Sequence, residues 1–222
     1  MHLRKSKKIF IYFFLFLLIG SINNKSLNDI EFTKIHSINI SGLDELENLN
    51  LLKQVKNQNL ENIFFINKNK LKKIFDQNTL IQSYNIFKIY PYGLNIEIIE
   101  TKFLAKINIE GQNYLIGSNG KLTKSYNIGK SLPFIFGKPE VNEFLEIKKI
   151  IDQSKFSFEE IKNLYFFPSK RWDLEIANNI LIKLPDKNVK ASLNDAQKFL
   201  NNNKMTFKTI DLRVKNQIIL ND

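Results

Sequence analysis

The stretch IFIYFFLFLLIGSI, residues Ile9–Ile22, is the only long uncharged apolar run in the sequence. Four basic residues stand directly before it: Arg4, Lys5, Lys7 and Lys8. A basic segment followed by an apolar one is typical of an N-terminal membrane-targeting segment. Because Lys and Arg favour the cytoplasmic side of a membrane, we expect residues 1–8 to stay inside and the bulk of the chain to be exported.

The apolar run can be either a retained anchor or a cleaved signal peptide. As a helix its length is only ~21 Å, against a bilayer core of ~30 Å, so a full span requires continuation toward Ile30. Cleavage favours small residues in an A-x-A-like pattern, yet the candidate positions are Gly20, Ser21, Ile22 and Asn23. We therefore predict an uncleaved anchor over residues 9–30, with the cleaved signal peptide as the alternative. The side chains assigned to the anchor are Ile9, Phe13, Phe14, Leu17 and Leu18.

Composition indicates that the rest of the chain is globular. The 222 residues are 43% hydrophobic, which is enough to bury a core, and two small domains fit behind the anchor. The sequence has no cysteine, so these domains must be stable through their cores alone, and thiol catalysis is excluded. The formal net charge is +11. Because the lysines are scattered, this charge suits an anionic membrane or an acidic protein partner and does not indicate nucleic acid.

The first half of the exported part predicts one compact α+β domain in the order strand, helix, helix, strand, strand. Strands follow from alternation of apolar and polar residues, and helices from apolar residues spaced three or four apart. In the first helix Leu46, Leu49 and Leu52 have that spacing, and Asn67 is the expected N-cap of the second. The elements are predicted at Lys34–Gly42, Asp44–Val55, Asn67–Asp76, Ser83–Tyr90 and Leu94–Glu100.

Residues 101–222 predict a second domain, mostly antiparallel β with flanking helices, so the expected fold class is α+β. Strands are predicted at Phe103–Ile109, Gln112–Ile116, Lys121–Thr123, Ile161–Phe167, Arg171–Ile176, Ile180–Leu184, Thr209–Arg213 and Gln217–Leu220. Helices are predicted at Val141–Ile151 and around Leu193–Leu200. Asn119-Gly120 is a hairpin signal, and Leu132–Gly137 is expected to be a loop or an edge segment.

No arrangement of residues in the sequence indicates catalysis. His36 lies at the start of a predicted strand, and no nearby arrangement of Asp, Glu and Ser residues suggests a proton relay. Glu97 and Glu100, three apart on a strand, point to opposite faces and make a poor acid–base pair. Ser118 lies in a Gly-flanked turn rather than on a strand-to-helix elbow. We therefore expect a binding or scaffolding protein rather than an enzyme, with no cofactor and no metal.

Seven local patterns follow one another along the chain, and their order is more specific than any one of them. They are Ile38-x-Ile40-x-Gly42, Ile63–Asn67 followed by Leu71, Tyr90–Glu100, Tyr114–Gly120, Leu132–Gly137, Trp172–Leu184 and Ile210–Arg213. Together with the basic tail and the anchor, they resemble the FtsQ/DivIB family of bacterial cell-division proteins. The sequence departs from the family pattern at Asn67, Thr101, Phe103 and Gly117. The resemblance implies a cytoplasmic tail (1–8), an anchor (9–30), a POTRA domain (32–100) and an FtsQ-type β domain (101–222).

The resemblance also implies a role and partners. A protein of this kind is a non-enzymatic, single-pass inner-membrane protein at the division septum, with a cytoplasmic N-terminus and a periplasmic bulk. It joins FtsB and FtsL, with other divisome proteins, to the machinery that builds the septal wall.

A segment of FtsB would add as a strand to the last strand region, where an exposed terminal strand offers unpaired backbone groups. By resemblance the site comprises Thr209, Ile210, Asp211, Leu212, Arg213, Val214 and Gln217. The resemblance implies that Arg213 faces an acidic residue of FtsB, and a guanidinium group is suited to a carboxylate because it can donate two hydrogen bonds to it.

Two other interpretations stay open at this point. A POTRA-containing export or outer-membrane assembly factor would carry several POTRA units or a C-terminal barrel, and the sequence after residue 100 is short for a membrane barrel. A secreted enzyme that acts on an anionic wall polymer would use the basic surface. Such an enzyme needs a convergent acid–base pair, which the sequence does not indicate.

Overall fold

The computed structural model describes residues 4–22, 35–58, 60, 63–64, 66–124, 131–202, 207–215 and 217–221. Both helices and strands are present, and the predicted α+β class is confirmed. The chain divides into two compact units. The first comprises Met1–Ile74 and Asn85–Glu97, and the second comprises Phe75–Tyr84 and Ile98–Asp222.

Helix α1 (Arg4–Ile22) contains the apolar run. The side chains assigned to the anchor are all exposed on it: Ile9, Phe13, Phe14, Leu17 and Leu18. Within the described residues, no helix is both long enough and apolar enough to cross a membrane. The predicted continuation of the anchor toward Ile30 lies outside the described residues.

Three strands and two helices come next along the chain. They are β1 (Ser37–Ser41), α2 (Glu45–Lys56), α3 (Lys68–Gln77), β2 (Ile81–Ile89) and β3 (Gly93–Glu100). This order is the predicted one. The strands form a sheet in the order β1-β3-β2, in which β1 runs parallel to β3 and pairs Ile38 with Leu94 and Ile40 with Ile96. Leu94 and Ile96 are buried and contribute to the core of the first unit.

Both helices begin at side-chain caps. Asp44 Oδ1 accepts a hydrogen bond from the backbone N–H of Glu47 at 2.8 Å, at the start of α2. Asn67 Oδ1 accepts from the N–H groups of Asn69 and Lys70 at 3.1 and 3.3 Å, at the start of α3. Each cap satisfies backbone donors that the first turn of a helix leaves unpaired. The predicted N-cap of the second helix is thus confirmed.

The buried face of α2 differs from the one that leucine spacing suggests. Leu51 and Val55, one turn apart, point into the core. Leu46 is 74% exposed and Leu49 is also exposed. Leucine spacing therefore predicted the helix correctly but did not identify its buried face, because leucines occur on two sides of α2.

The second unit contains nine strands and two longer helices. The strands are β4 (Phe103–Ile109), β5 (Gln112–Gly117), β6 (Leu122–Lys124), β7 (Phe134–Phe136), β8 (Ile161–Phe166), β9 (Trp172–Ile176), β10 (Leu181–Lys183), β11 (Thr209–Asp211) and β12 (Ile219–Asn221). The helices are α4 (Val141–Asp152) and α5 (Val189–Asn202). The strands form one mixed sheet in the order β12-β11-β10-β9-β8-β7-β4-β5-β6. Among these described strands, five of the eight pairings are antiparallel.

Strand β7 corrects the expectation that Leu132–Gly137 is a loop or an edge. It lies inside the sheet, parallel to β4 on one side and to β8 on the other. Gly137 then ends the strand with φ +104°, and a Cβ there would lie 2.4 Å from the carbonyl oxygen of Phe166. The misleading signal was the short length of the apolar run between Pro133 and Gly137, which also suits a loop.

The core of the second unit lies along a set of cross-strand rows. One row passes through Ile135, Leu164, Leu174, Ile182 and Ile210, all buried. Helices α4 and α5 supply Phe144, Ile147, Ile151, Leu193 and Ala196 to the same core. The sheet is therefore held by apolar packing that extends through to β11.

A candidate partner-binding edge

Among the described strands, the nine-stranded sheet ends at β12. Strand β12 lies after the residues that the sequence indicated as the strand-addition site. The predicted strand-addition site begins at Thr209, in β11. Strand β11 is paired on both sides, parallel to β10 and antiparallel to β12. Its backbone is therefore not an open edge, because each side already has a neighbour. Among the described strands of this end, the outer one is Ile219–Asn221.

The apolar row of the core reaches the surface at this edge. Ile182, Ile210 and Leu220 are successive cross-strand partners on β10, β11 and β12, so their side chains share one face of the sheet. Ile182 and Ile210 are fully buried, whereas Leu220 is 39% exposed. A further strand added outside β12 would cover Leu220 and continue the row.

The seven predicted binding residues divide into a buried group and an exposed group. Ile210, Asp211 and Leu212 are buried and Thr209 is half-buried. Arg213, Val214 and Gln217 are exposed on the segment that connects β11 to β12. The second group is accessible at the surface, whereas the first group is largely enclosed by the fold.

Arg213 is bonded within its own chain. Its Nε donates to Asp211 Oδ1 at 2.8 Å and to Oδ2 at 3.0 Å, and its backbone N–H donates to Oδ1 at 3.0 Å. These bonds from Arg213 are the main reason that the pKa of Asp211 lies below its usual range. The side chain of Arg213 is still 42% exposed. Asp211 therefore fixes the direction of a cation that solvent, or a partner, can reach.

A row of charged residues lies on the sheet beside this pair. Asp173, Lys183 and Asp211 are successive cross-strand partners on β9, β10 and β11. Asp173 is buried, which raises its pKa, while Arg171 opposes that rise by donating from Nε to Oδ1 at 3.2 Å. This row was not predicted from the sequence. Charges of alternating sign are visible in the sequence, but their alignment depends on a strand order that the sequence does not give.

A groove lies between α5 and the segment that leads to β12. Its volume is about 750 Å³. Helix α5 lines it with Ala191, Asp195 and Lys198, and the segment lines it with Leu212, Val214 and Ile218. The lining mixes apolar side chains with both signs of charge, which suits a polypeptide better than a small apolar ligand. The groove adjoins the edge, so the two form one continuous surface.

Ser118 and His36, which were considered as catalytic candidates from the sequence, make contacts within the fold. The hydroxyl of Ser118 donates to Gln82 Oε1 at 2.6 Å and accepts from the backbone N–H of Lys102 at 3.1 Å. His36 packs edge-on against Tyr92 with ring centroids 5.6 Å apart. Within the part of the chain that the structure describes, no group of His, Asp and Glu residues could hold a metal ion.

Two family models match the chain in succession. The POTRA domain, FtsQ-type, matches residues 33–101, and the cell division protein FtsQ/DivIB, C-terminal, matches residues 105–213. A solved structure of the major extracytoplasmic domain of the cell-division protein DivIB from Geobacillus stearothermophilus covers 48% of this chain and 98% of that chain. Its TM-score is 0.35 at 11% identity.

Curated relatives match over most of the length. The cell division protein FtsQ of Rickettsia bellii is 26% identical over 203 residues, which cover 83% of this chain and 70% of the relative. FtsQ of Bradyrhizobium diazoefficiens is 22% identical over 207 residues, with coverage of 91% and 60%. The cell division protein DivIB of Staphylococcus aureus is 26% identical over 140 residues, with coverage of 62% and 32%. With both family models in this order, the chain belongs to the FtsQ/DivIB family of cell-division proteins.

Proposed function

We propose that this chain is a non-enzymatic, single-pass inner-membrane protein of the division machinery, and that it joins FtsB and FtsL to the septal wall-synthesis machinery. Membership of the FtsQ/DivIB family supports the divisome role. Among the described strands, β12 has a neighbour on one side alone, and this one observation carries the proposal of a protein partner. In this assignment residues 32–100 are the POTRA domain and residues 101–222 are the β domain.

The N-terminal helix is proposed to hold the protein at the membrane. Every side chain from Ile9 to Ile19 is exposed on α1, and all of them are apolar or aromatic. A helix that is apolar on all sides is stable only when apolar material surrounds it, which a bilayer supplies. Lys7 and Lys8 precede this stretch, so the N-terminus would be cytoplasmic and the bulk of the chain periplasmic, at the division septum.

The partner is proposed to bind by adding a strand to β12. An edge strand recognises another chain through backbone hydrogen bonds, and alternate side chains on the two faces give specificity. Here Leu220 would contact an apolar side chain of the added strand on the core face. Arg213, Val214 and Gln217, which precede the edge, would contact the residues that flank the added strand, and Arg213 would pair with a carboxylate.

Two neighbouring substitutions test the binding edge. Leu220→Asp places a charge on the face that the partner would cover, and Asn221→Asp places the same charge on the opposite face. We expect Leu220→Asp to weaken the affinity for a purified periplasmic segment of FtsB about tenfold or more, which is about 1.4 kcal/mol. Asn221→Asp should change it much less. Isothermal titration calorimetry measures both, and an unchanged affinity for Leu220→Asp would reject strand addition at this edge.

A further inference from the structure

Four large apolar or aromatic side chains are exposed together at one end of the sheet of the first unit. They are Phe64, Ile89, Tyr90 and Tyr92, each 49–59% exposed, and we call them the aromatic tip. Ile89 ends β2, while Tyr90 and Tyr92 form the turn that leads into β3. Strand β1 also begins at this end, because Ser37 pairs with Gly93.

Contacts within the first unit hold the aromatic tip in place. The rings of Phe64 and Tyr90 have centroids 5.5 Å apart. Lys88 Nζ donates to the carbonyl oxygen of Phe64 at 3.2 Å, which ties the Phe64 segment to β2. The backbone N–H of His36 donates to the carbonyl oxygen of Tyr92 at 3.0 Å. The exposed rings therefore form one fixed surface rather than a set of separate side chains. Single exposed apolar residues are normal on a protein surface, whereas a clustered patch indicates an interaction site.

Among the described residues that flank the aromatic tip in the sequence, the charged side chains are positive. In the described stretches 35–38, 63–64, 66–68 and 87–93, the charged side chains are Lys68 and Lys88, and no Asp or Glu occurs. Tyrosine rings beside lysines are typical of the water–bilayer interface, where the ring lies at the level of the head groups. Lysine adds electrostatic attraction to anionic lipid.

The chain can bring the aromatic tip to a membrane that holds α1. Helix α1 ends at Ile22, and the described chain resumes at Ile35, two residues before β1. The twelve intervening residues cannot reach farther than ~45 Å even when fully extended. Because β1 begins at the aromatic tip, the twelve residues that follow α1 lead to this end of the sheet.

We propose that the aromatic tip binds the bilayer surface, with its rings among the head groups of anionic phospholipids and with Lys68 and Lys88 contacting their phosphates. This inference rests on the proposed anchoring of α1. It adds a second membrane contact, through which the three-stranded sheet of the first unit would lie against the bilayer.

The absence of cysteine from the sequence makes a site-specific test possible. Single cysteines are introduced into the full-length chain and labelled with an environment-sensitive fluorophore. The labelled protein is reconstituted into vesicles that contain phosphatidylglycerol and a lipid with a nitroxide near its head group. Tyr92→Cys reports on the aromatic tip, and Ile89→Cys repeats the measurement in case loss of Tyr92 perturbs the turn.

Two controls define what the quenching means. Leu46→Cys is a matched exposed position in α2, which follows the other end of β1. Phe13→Cys reports on α1 itself. We expect strong quenching at 13, 89 and 92 and little at 46. Quenching at positions 89 and 92 should decrease in phosphatidylcholine vesicles and in the Lys68→Gln/Lys88→Gln variant. Quenching at position 13 should stay unchanged in both.

The outcomes separate this inference from the proposed function. Quenching at 13 with no more quenching at 89 and 92 than at 46 would overturn the lipid contact and leave the anchoring intact. No quenching at 13 would overturn the anchoring, and the lipid contact with it. Equal quenching at 89 and 92 in anionic and neutral vesicles would overturn the role of the two lysines.

Discussion

Strands β11 and β12 are neighbours of equal length, yet they have opposite surroundings. Ile210 at the centre of β11 is fully buried between two strands, whereas its cross-strand partner Leu220 in β12 is partly exposed. The two residues continue the same apolar row. Adjacent strands of this sheet therefore differ in role: β11 completes the core, and β12 extends it to a position that another chain can reach.

Two alanine substitutions test how stability is divided between these strands. Ile210→Ala should lower the free energy of unfolding of the second unit by about 2–5 kcal/mol, because it leaves a cavity in a packed core. Leu220→Ala should lower it by less than about 1 kcal/mol, since much of that side chain already contacts water. Urea titration followed by the fluorescence of the single tryptophan, Trp172 in β9, measures both. Equal losses would mean that β12 belongs to the core as fully as β11 does.

Two charge reversals test whether partner binding depends on Arg213 itself. Arg213→Glu should weaken the affinity for an FtsB segment by about 2 kcal/mol without unfolding the second unit, because a carboxylate replaces the exposed cation. Lys215→Glu makes the same change of charge two residues away, where the side chain is also exposed. Its effect should be several times smaller. If both variants lose the same affinity, the effect is one of net charge and the assignment of Arg213 fails.

The smallest effect concerns the ion pair that joins β11 to the exposed segment. Arg213 holds the pKa of Asp211 below its ordinary value. A carboxyl group with a lowered folded pKa stabilises the fold above its unfolded pKa of about 3.9, and this stabilisation is lost as the pH falls through the folded pKa. Asp173 contributes with the opposite sign, because burial raises its pKa.

Comparison with Asp211→Asn separates the two carboxyl groups. At pH 7 the unsubstituted chain should be more stable than Asp211→Asn by about 1 kcal/mol, the usual contribution of one such hydrogen bond. The gap should shrink as the pH is lowered below about 4, since protonated Asp211 no longer attracts Arg213. Urea titrations at pH 7 and pH 3 measure the gap. A gap that does not change with pH would show that the charge of Asp211 contributes nothing.

Local features of the fold could be predicted from the sequence because they depend on neighbouring residues. Asn67 accepts bonds from N–H groups two and three residues ahead, and that geometry is fixed once a helix starts. The order of elements in the first half follows from apolar periodicity in the same way. The seven family patterns were also local, and their order identified the family correctly.

Strand neighbours could not be predicted because they join residues far apart in the sequence. Strand β7 lies between β4 and β8, and β11 lies parallel to β10, with α5 between them in the chain. Alternation indicates a strand but carries no information about its partners. For the same reason the resemblance placed the binding site at residues 209–217, whereas the outer strand of the described sheet is Ile219–Asn221.

The row formed by Asp173, Lys183 and Asp211 determines how the edge is presented. A shift of one residue between these strands would turn every side chain to the other face and place Lys183 among Ile210 and its apolar neighbours. The alternating charges therefore favour the observed register of β9, β10 and β11 over a register shifted by one residue. The row reaches β11, the strand on which β12 pairs, so the face that Ile210 presents to Leu220 is fixed before β12 is added.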